Sequence, residues 1–373
     1  MTQAELEARE LSRIAREELS SLPRGIGNIH GAYADRVFGA LGPPASPVRF
    51  MHDTISRGVY GGVRGGMWLG AHAAGVAARS RAGDVPLSET PRGAMAIAAV
   101  NGLFGDRLEA EGSPLATPMQ VRRIGTTVTP HVVVFVHGLG ETEYAWGSPN
   151  YGDLLDDITP VFIRFNSGRH ISENGATLAA LLDEVVRDWP VDVERLTLIG
   201  HSMGGLVARS ACHRGGPWTA RVRHVISLGT PHTGAPLEQA VHTMSAALHL
   251  APETRPFARF LRRRSAGIRD LRRGSLVDED WRDRDPDALR AKALTEVPLL
   301  AGATHCFVAA TITRSGSHPV ARLLGDLLVL APSASGRRIG FLDEDGLTLG
   351  GAHHLALLNH PEVAAQLKGW LSA

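Results

Sequence analysis

RLTLIGHSMGGLVARSAC, residues 195–212, is the most informative segment for predicting the fold of this chain. The apolar segment RLTLI runs into Gly200-His201-Ser202-Met203-Gly204, and a helix-forming segment follows. A G-x-S-x-G sequence between strand and helix is typical of the sharp turn that presents a nucleophilic serine. The serine backbone is strained in such a turn, and side chains at Gly200 and Gly204 would collide with it. The turn also puts the Ser202 hydroxyl at a helix N-terminus, whose dipole favours developing negative charge.

Apolar strands alternate with helical patterns on both sides of this turn. The strand candidates are VVVFVHG (132–138), VFIRF (161–165), HVISLG (224–229) and CFVAATI (306–312), and the clearest helices cover 176–189, 204–213 and 361–371. This alternation predicts a mostly parallel, doubly wound sheet with its active site beyond the carboxyl ends of the strands. The alternative, another α/β fold in which Ser202 only caps a helix, is disfavoured because further motifs follow the other strands.

Composition limits the class of protein. The 373 residues are 43% hydrophobic and 21% charged, as in a globular protein with ample core. A net charge of +1 gives no electrostatic argument for nucleic-acid binding. Cys212 and Cys306 lie far apart in apolar runs, so they imply no disulfide framework. The first residues lack the apolar segment of a signal peptide, and no long apolar run is present, so we expect a cytoplasmic protein.

The first third of the chain carries no recognisable chemistry, and we expect a mainly helical extension over residues 1–125 followed by a catalytic domain over 126–373. Residues 3–20 read as an amphipathic helix. The glycine-rich apolar stretch 58–79 fits either close packing within the protein, which we favour, or a peripheral membrane contact. A helical lid is expected at about 235–300. Its basic and acidic blocks suit either a mobile lid that meets anionic lipid or, as we favour, a solvated helix pair with balanced charges.

Residues 130–373 resemble bacterial lipases and esterases of the α/β-hydrolase superfamily, in particular the group with HGLG and GHSMGG motifs. The resemblance implies the α/β-hydrolase fold. It also implies an oxyanion hole, because the HG-x-G loop of these lipases supplies one backbone N–H and the residue after the nucleophile supplies another. In this sequence those donors are Leu139 and Met203. The side chain of His137 itself is more simply explained as holding the turn by hydrogen bonds.

The acid and the base should follow the serine in the order Ser, Asp/Glu, His. Asp326 follows Gly325 among apolar residues, and a buried carboxylate there needs a partner such as an imidazole N–H. The resembling lipases carry a similar GD-x-x-V segment at their catalytic aspartate. Asp343 and Asp345 are the fallbacks. The pattern GxxHL-x-LL of related enzymes assigns the base to His354, with His353 and then His360 as alternatives.

These residues predict a serine hydrolase that cleaves carboxylic esters, with a small-molecule ester or lipid as substrate. We expect no cofactor and no metal, since no His/Asp ligand spacing is evident. An acyltransferase or thioesterase would use the same triad, and a non-catalytic binding protein on the same fold would normally lack one of its members.

Overall fold

A computed structural model describes residues 1–17, 46, 49–50, 53, 85–234, 264–285, 293–313, 326 and 328–372. Several sequence predictions lie outside these residues. They are the stretch 58–79, the end of the N-terminal helix beyond residue 17, and the lid segments 235–263 and 286–292.

A seven-stranded sheet forms the centre of the larger part of the chain. In chain order its strands are β1 (Gln120–Ile124), β2 (His131–Val136), β3 (Thr159–Arg164), β4 (Arg195–His201), β5 (Val222–Leu228), β6 (Thr304–Thr311) and β7 (Gly346–Gly350). Their order across the sheet is β1-β3-β2-β4-β5-β6-β7, and β1 alone among these strands pairs antiparallel. The predicted mostly parallel, doubly wound sheet is confirmed.

Strand β2 shows why these residues form a central strand. All six of its residues are buried, and its run of β-branched residues suits a strand that is covered on both faces. Val132, Val134 and Val136 belong to one apolar cluster, and Val133 and Phe135 belong to another. Side chains alternate across a strand, so the two clusters are the two faces of the sheet. Full burial of each such side chain contributes about 1.5–3 kcal/mol.

Helices cover both faces of the sheet. Residues of α3 (Ile171–Arg187) and α4 (Met203–Arg214) pack on one face, and residues of α6 (Pro361–Ser372) pack on the other. The other main helices of the described residues are α1 (residues 3–17), α2 (Pro91–Ala110) and α5 (Ala266–Leu271). The chain passes from β2 to β3 on one side and returns to β4 on the other. The turns after β2 and β4 therefore lie side by side at the carboxyl edge, where ligands bind in open α/β sheets.

Strands β1 and β7 were not predicted. Two arginines occupy β1, and one of them, Arg123, lies over the Phe162 ring of β3, 4.0 Å from its centre. Strand β7 begins and ends in glycine, yet a Cβ at Gly346 would lie 2.1 Å from Phe307, so this strand needs the small residue.

Contacts within the chain define two units. The first comprises residues 1–97, 113–115 and 240–264, and the second comprises 98–112, 116–239 and 265–373. In the first, Glu7 accepts hydrogen bonds from the backbone N–H and the hydroxyl of Ser88, at 3.0 and 2.7 Å. The second holds the sheet and the second half of α2. The expected boundary near residue 125 stays a prediction.

Among the described residues, we find no helix with the length and apolar character needed to cross a membrane. The described part of the segment predicted to be a lid contains α5 and an ion pair between Arg282 and Asp278, at 2.8 Å and four residues apart.

Candidate active site

Ser202 lies between β4 and α4 in a backbone conformation that is rare for a residue with a side chain. Its φ is +51° and its ψ is −120°. The Ser202 N–H donates to the carbonyl of Leu228 at the end of β5, at 2.8 Å, and this bond holds the turn against the sheet. Such a conformation costs on the order of 1–3 kcal/mol and persists only when its surroundings fix it.

The glycines on either side of Ser202 allow this close packing. A Cβ at Gly200 would lie 2.4 Å from the backbone nitrogen of Gly205. A Cβ at Gly204 would lie 2.2 Å from the carbonyl oxygen of Val136 in β2. Both clashes are with backbone, which cannot move aside as a flexible side chain could. The two positions therefore admit only glycine if Ser202 is to keep its place above the sheet.

Asp326 and His354 form a buried hydrogen-bonded pair. Asp326 follows β6 and His354 follows β7, and their side chains are 1% and 5% exposed. The distance from His354 Nδ1 to Asp326 Oδ2 is 2.7 Å. Because a carboxylate only accepts, Nδ1 carries the proton and donates it. The other Asp326 oxygen accepts the backbone N–H groups of Leu328 and Val329, at 3.0 and 2.7 Å, so the carboxylate is fixed in place.

The alternative acids and bases lie in different surroundings. His353 is exposed. The ring nitrogen of His360 accepts the N–H of Glu362 at 3.3 Å, as expected of a residue at the entry to α6. Asp343 pairs with Arg337 on the surface, and both side chains are more than half exposed. Asp345 lies in the same short helical turn, which has no buried residues.

The structure brings His354 close to the serine turn. The His354 ring packs against Gly229, directly after the residue that accepts the Ser202 N–H, and a Cβ on Gly229 would lie 3.0 Å from its Cε1. The ring of His201, which precedes Ser202, lies 4.8 Å from that of His354. His354 Nε2 is buried and makes no hydrogen bond with the described residues, Ser202 Oγ included. Such bonds often tighten only when substrate binds.

Residues 137–141 follow β2 beside Ser202, and because they contain a predicted oxyanion donor we call them the oxyanion loop. A Cβ at Gly138 would lie 3.1 Å from Ser202 Cβ. Gly140 N–H donates to Ser167 Oγ at 2.9 Å. The N–H groups of Leu139 and Met203, the predicted donors to an oxyanion, donate to no other group among the described residues. Backbone N–H groups without a partner beside a candidate nucleophile are suited to stabilise negative charge.

His137 has a structural environment. Its Nε2 accepts the N–H of Phe165 at 3.2 Å, and its Nδ1 donates to the carbonyl of Gly138 at 2.9 Å. The ring also stacks on Phe165, with centres 4.2 Å apart. Burial lowers the pKa of this imidazole and keeps it neutral. These contacts agree with the interpretation that its side chain holds the turn.

A second acid–base pair, Glu141 and His201, was not predicted from the sequence, and its carboxylate is only partly exposed. Glu141 Oε2 lies 3.0 Å from His201 Nδ1, and the His201 side chain is fully buried. Burial alone would raise the pKa of Glu141, but His201 and the N–H of Gly138 outweigh it and lower that pKa to about 2. Burial likewise opposes the charge on His201, and Glu141 overcomes it and raises the pKa of His201. Sixty residues separate the partners, so no local pattern reveals the pair.

No group of three or more His, Cys, Asp or Glu side chains in the described ranges is arranged to hold a metal ion. Cys212 and Cys306 are buried free thiols, and burial raises the pKa of each to about 12. Neither thiol is therefore ready to act as a thiolate nucleophile near neutral pH.

One family model and several solved structures resemble part of this chain. Residues 165–282 match the family model described as the PGAP1-like alpha/beta domain. Among curated proteins, no sequence matches the chain. The mature form of the Bacillus licheniformis lipase BlEst2 is 20% identical, with a TM-score of 0.44 over 69% of this chain and 98% of that one.

A lipase-esterase related protein from Clostridium acetobutylicum is 16% identical, with a TM-score of 0.41 over 68% of this chain and 100% of that one. A structure from a study of carboxylesterases of Nitrososphaera gargenis is 12% identical, with a TM-score of 0.41 over 68% and 94%. These likenesses are too low to transfer an activity. The sheet order and the strand–serine–helix turn are those of the α/β-hydrolase fold.

Proposed function

We propose that the chain is a serine hydrolase that cleaves carboxylic esters, with Ser202 as nucleophile, His354 as base and Asp326 as the acid that orients it. The main support is the buried hydrogen bond of 2.7 Å between His354 and Asp326, beside a serine on a strained turn. An imidazole whose Nδ1–H is held by a carboxylate keeps Nε2 free to accept a hydroxyl proton.

In the first half-reaction, Ser202 Oγ attacks the ester carbonyl carbon while His354 Nε2 takes the hydroxyl proton. The carbonyl π electrons move to the oxygen, and the N–H groups of Leu139 and Met203 stabilise the resulting oxyanion. Loss of one such donor typically costs about 3–4 kcal/mol in the transition state. The carbonyl then re-forms, the bond to the alcohol oxygen breaks, and His354 gives its proton to the leaving alkoxide.

In the second half-reaction, water replaces the alcohol. His354 Nε2 takes a proton from the water as its oxygen attacks the acyl carbon, and the same donors stabilise the second oxyanion. Collapse releases the carboxylic acid, and the proton returns to Ser202 Oγ. Asp326 stays ionised throughout and stabilises the imidazolium that forms in each half.

The test is hydrolysis of p-nitrophenyl esters of increasing acyl length by the wild-type chain, Ser202→Ala and His354→Ala. We expect turnover by the wild type and loss of most of it in both variants, with His353→Ala as the matched control that stays active. Activity retained in His354→Ala and lost in His353→Ala would contradict the choice of base. The acyl series also tests the expected lipid substrate, because a lipase favours long chains.

A competing alcohol in the same assay separates hydrolysis from transfer, because an acyltransferase forms the new ester in preference to the free acid. A matched thioester substrate tests thioesterase activity. A non-catalytic protein would give no turnover that depends on Ser202.

A further inference from the structure

We propose that Glu141 and His201 are positioning residues that hold the oxyanion loop and the His354 loop in place on either side of Ser202. This inference rests on the proposed function and extends it to a second acid–base pair. Neither residue touches the reacting atoms in the mechanism above.

Glu141 fixes the oxyanion loop from inside. Its Oε2 accepts the backbone N–H of Gly138 at 2.8 Å and contacts His201 Nδ1 at 3.0 Å. Gly138 directly precedes Leu139, so this bond sets the orientation of the peptide before the proposed oxyanion donor. The fit is close, because a Cβ at Gly138 would lie 3.0 Å from Glu141 Oε2 and 3.1 Å from Ser202 Cβ.

His201 connects that loop to the proposed base. Its Nδ1 faces Glu141, and its Nε2 lies 3.4 Å from the backbone carbonyl of His354. A carboxylate and a carbonyl both accept, so these surroundings favour the imidazolium, in which both ring nitrogens donate. His201 is also covalently next to Ser202. One fully buried ring therefore contacts the oxyanion loop, adjoins the nucleophile and contacts the residue that supplies the base.

Stability alone is a weak reason for such a pair. Removing two charges from water is costly, and apolar residues of similar volume often stabilise a core as well or better. A buried ion pair does, however, fix distance and direction in a way that apolar contacts do not. A misplacement of about 1 Å in groups around a reacting centre can lower the rate by about 100-fold.

The same segment offers a control. Glu143 is also buried, and it pairs with Arg164, whose Nε donates to it at 2.7 Å. It does not contact Gly138, His201 or His354 in the described structure. Glu143→Gln should therefore lower the melting temperature without changing the kcat of the folded protein.

The experiment compares wild type, Glu141→Gln and Glu143→Gln by kcat and KM on p-nitrophenyl butyrate, by melting temperature, and by affinity for an alkyl boronic acid. The boronate adds to the serine and places an oxygen at the oxyanion position. For Glu141→Gln we expect a fall in kcat of about 10- to 100-fold with KM within about twofold, because loop position affects the transition state more than substrate binding. Boronate affinity should fall in parallel.

A folded Glu141→Gln protein with kcat within twofold of wild type would overturn the inference. The inference would also be overturned if Glu141→Gln and Glu143→Gln lowered the melting temperature equally and Glu141→Gln lowered kcat no more than Glu143→Gln. If Glu141→Gln does not fold, His201→Asn, which keeps one N–H for Glu141, is judged by the same criteria. A wild-type protein without Ser202-dependent turnover is a different result, which contradicts the proposed function itself.

Discussion

The role of Asp326 is open to a sharp test by Asp326→Asn. The carboxylate is 1% exposed and makes three hydrogen bonds, two to backbone N–H groups and one to His354 at 2.7 Å. An asparagine of the same shape can keep its oxygen on the two N–H groups and turn its NH₂ toward His354. The NH₂ would then donate to Nδ1, which moves the imidazole proton to Nε2 and leaves nothing to accept the serine proton.

The expected loss is large for activity and small for stability. The wrong tautomer lowers kcat by about 10,000-fold, which corresponds to about 5.4 kcal/mol of activation free energy. Replacing one charge-assisted hydrogen bond by a neutral one should cost only about 1–2 kcal/mol of folding free energy. The assay is hydrolysis of p-nitrophenyl butyrate together with thermal unfolding. Asp343→Asn, at an exposed aspartate, is the control and should keep full activity.

A folded Asp326→Asn protein that keeps more than about a tenth of wild-type kcat would contradict this role of Asp326, since loss of a working base must cost far more. If Asp343→Asn inactivated the protein and Asp326→Asn did not, the acid would be assigned to Asp343, directly before β7.

Three further predictions concern the surroundings of Ser202: two glycine substitutions and one pH dependence. Gly204→Ala puts a Cβ 2.2 Å from a backbone carbonyl of β2, so we expect at least about 3 kcal/mol of destabilisation or no folded protein, measured by denaturant unfolding. Gly102→Ala puts a Cβ 3.0 Å from the backbone of the oxyanion loop and should lower kcat more than stability, whereas Gly369→Ala, in open space on α6, should keep activity and gain up to about 1 kcal/mol. Because the pKa of Glu141 is lowered from its ordinary value of 4.5 to about 2, its carboxylate stabilises the folded protein above pH 4.5. This stabilisation is lost as the pH falls toward about 2. His201 faces Glu141, His354 and Asp326, and its pKa is raised above the ordinary value of 6.5. Its positive charge therefore stabilises the folded protein below pH 6.5, and this stabilisation is lost as the pH rises through the pKa of the folded state. The difference in melting temperature between wild type and Glu141→Gln should therefore be largest between pH 4.5 and 6.5.

The sequence suffices for the centre of the fold because its signals there are local. The apolar run of β2 and the glycine-flanked serine after β4 each specify their own conformation, whatever lies elsewhere in the chain. Strand β1 gives no such signal, since its pairing with β3 and the packing of Arg123 on Phe162 are long-range contacts. Strand β7 also lacks a local signal, because it is short and bounded by glycines, and the packing of Gly346 against Phe307 is a long-range contact.

The site divides in the same way. Ser202, Asp326 and His354 were named from motifs, and the structure pairs the last two. The Glu141–His201 pair has no motif. Helix α2 was likewise given no role, yet its glycine face lies against the site. A Cβ at Gly102 would reach the oxyanion loop, and Gly105 accepts a hydrogen bond from Asn166 at 2.9 Å. Glycines in a helix lower its propensity, and only the packing partner explains their presence.

If Ser202 is an activated nucleophile, an alkyl fluorophosphonate should modify it, and mass spectrometry of the intact protein and of its digested peptides measures this reaction. We expect a single adduct on the peptide that contains Ser202, formed quickly in the wild type, absent in Ser202→Ala and strongly slowed in His354→Ala. An unlabelled wild type, or labelling that persists in Ser202→Ala, would contradict it.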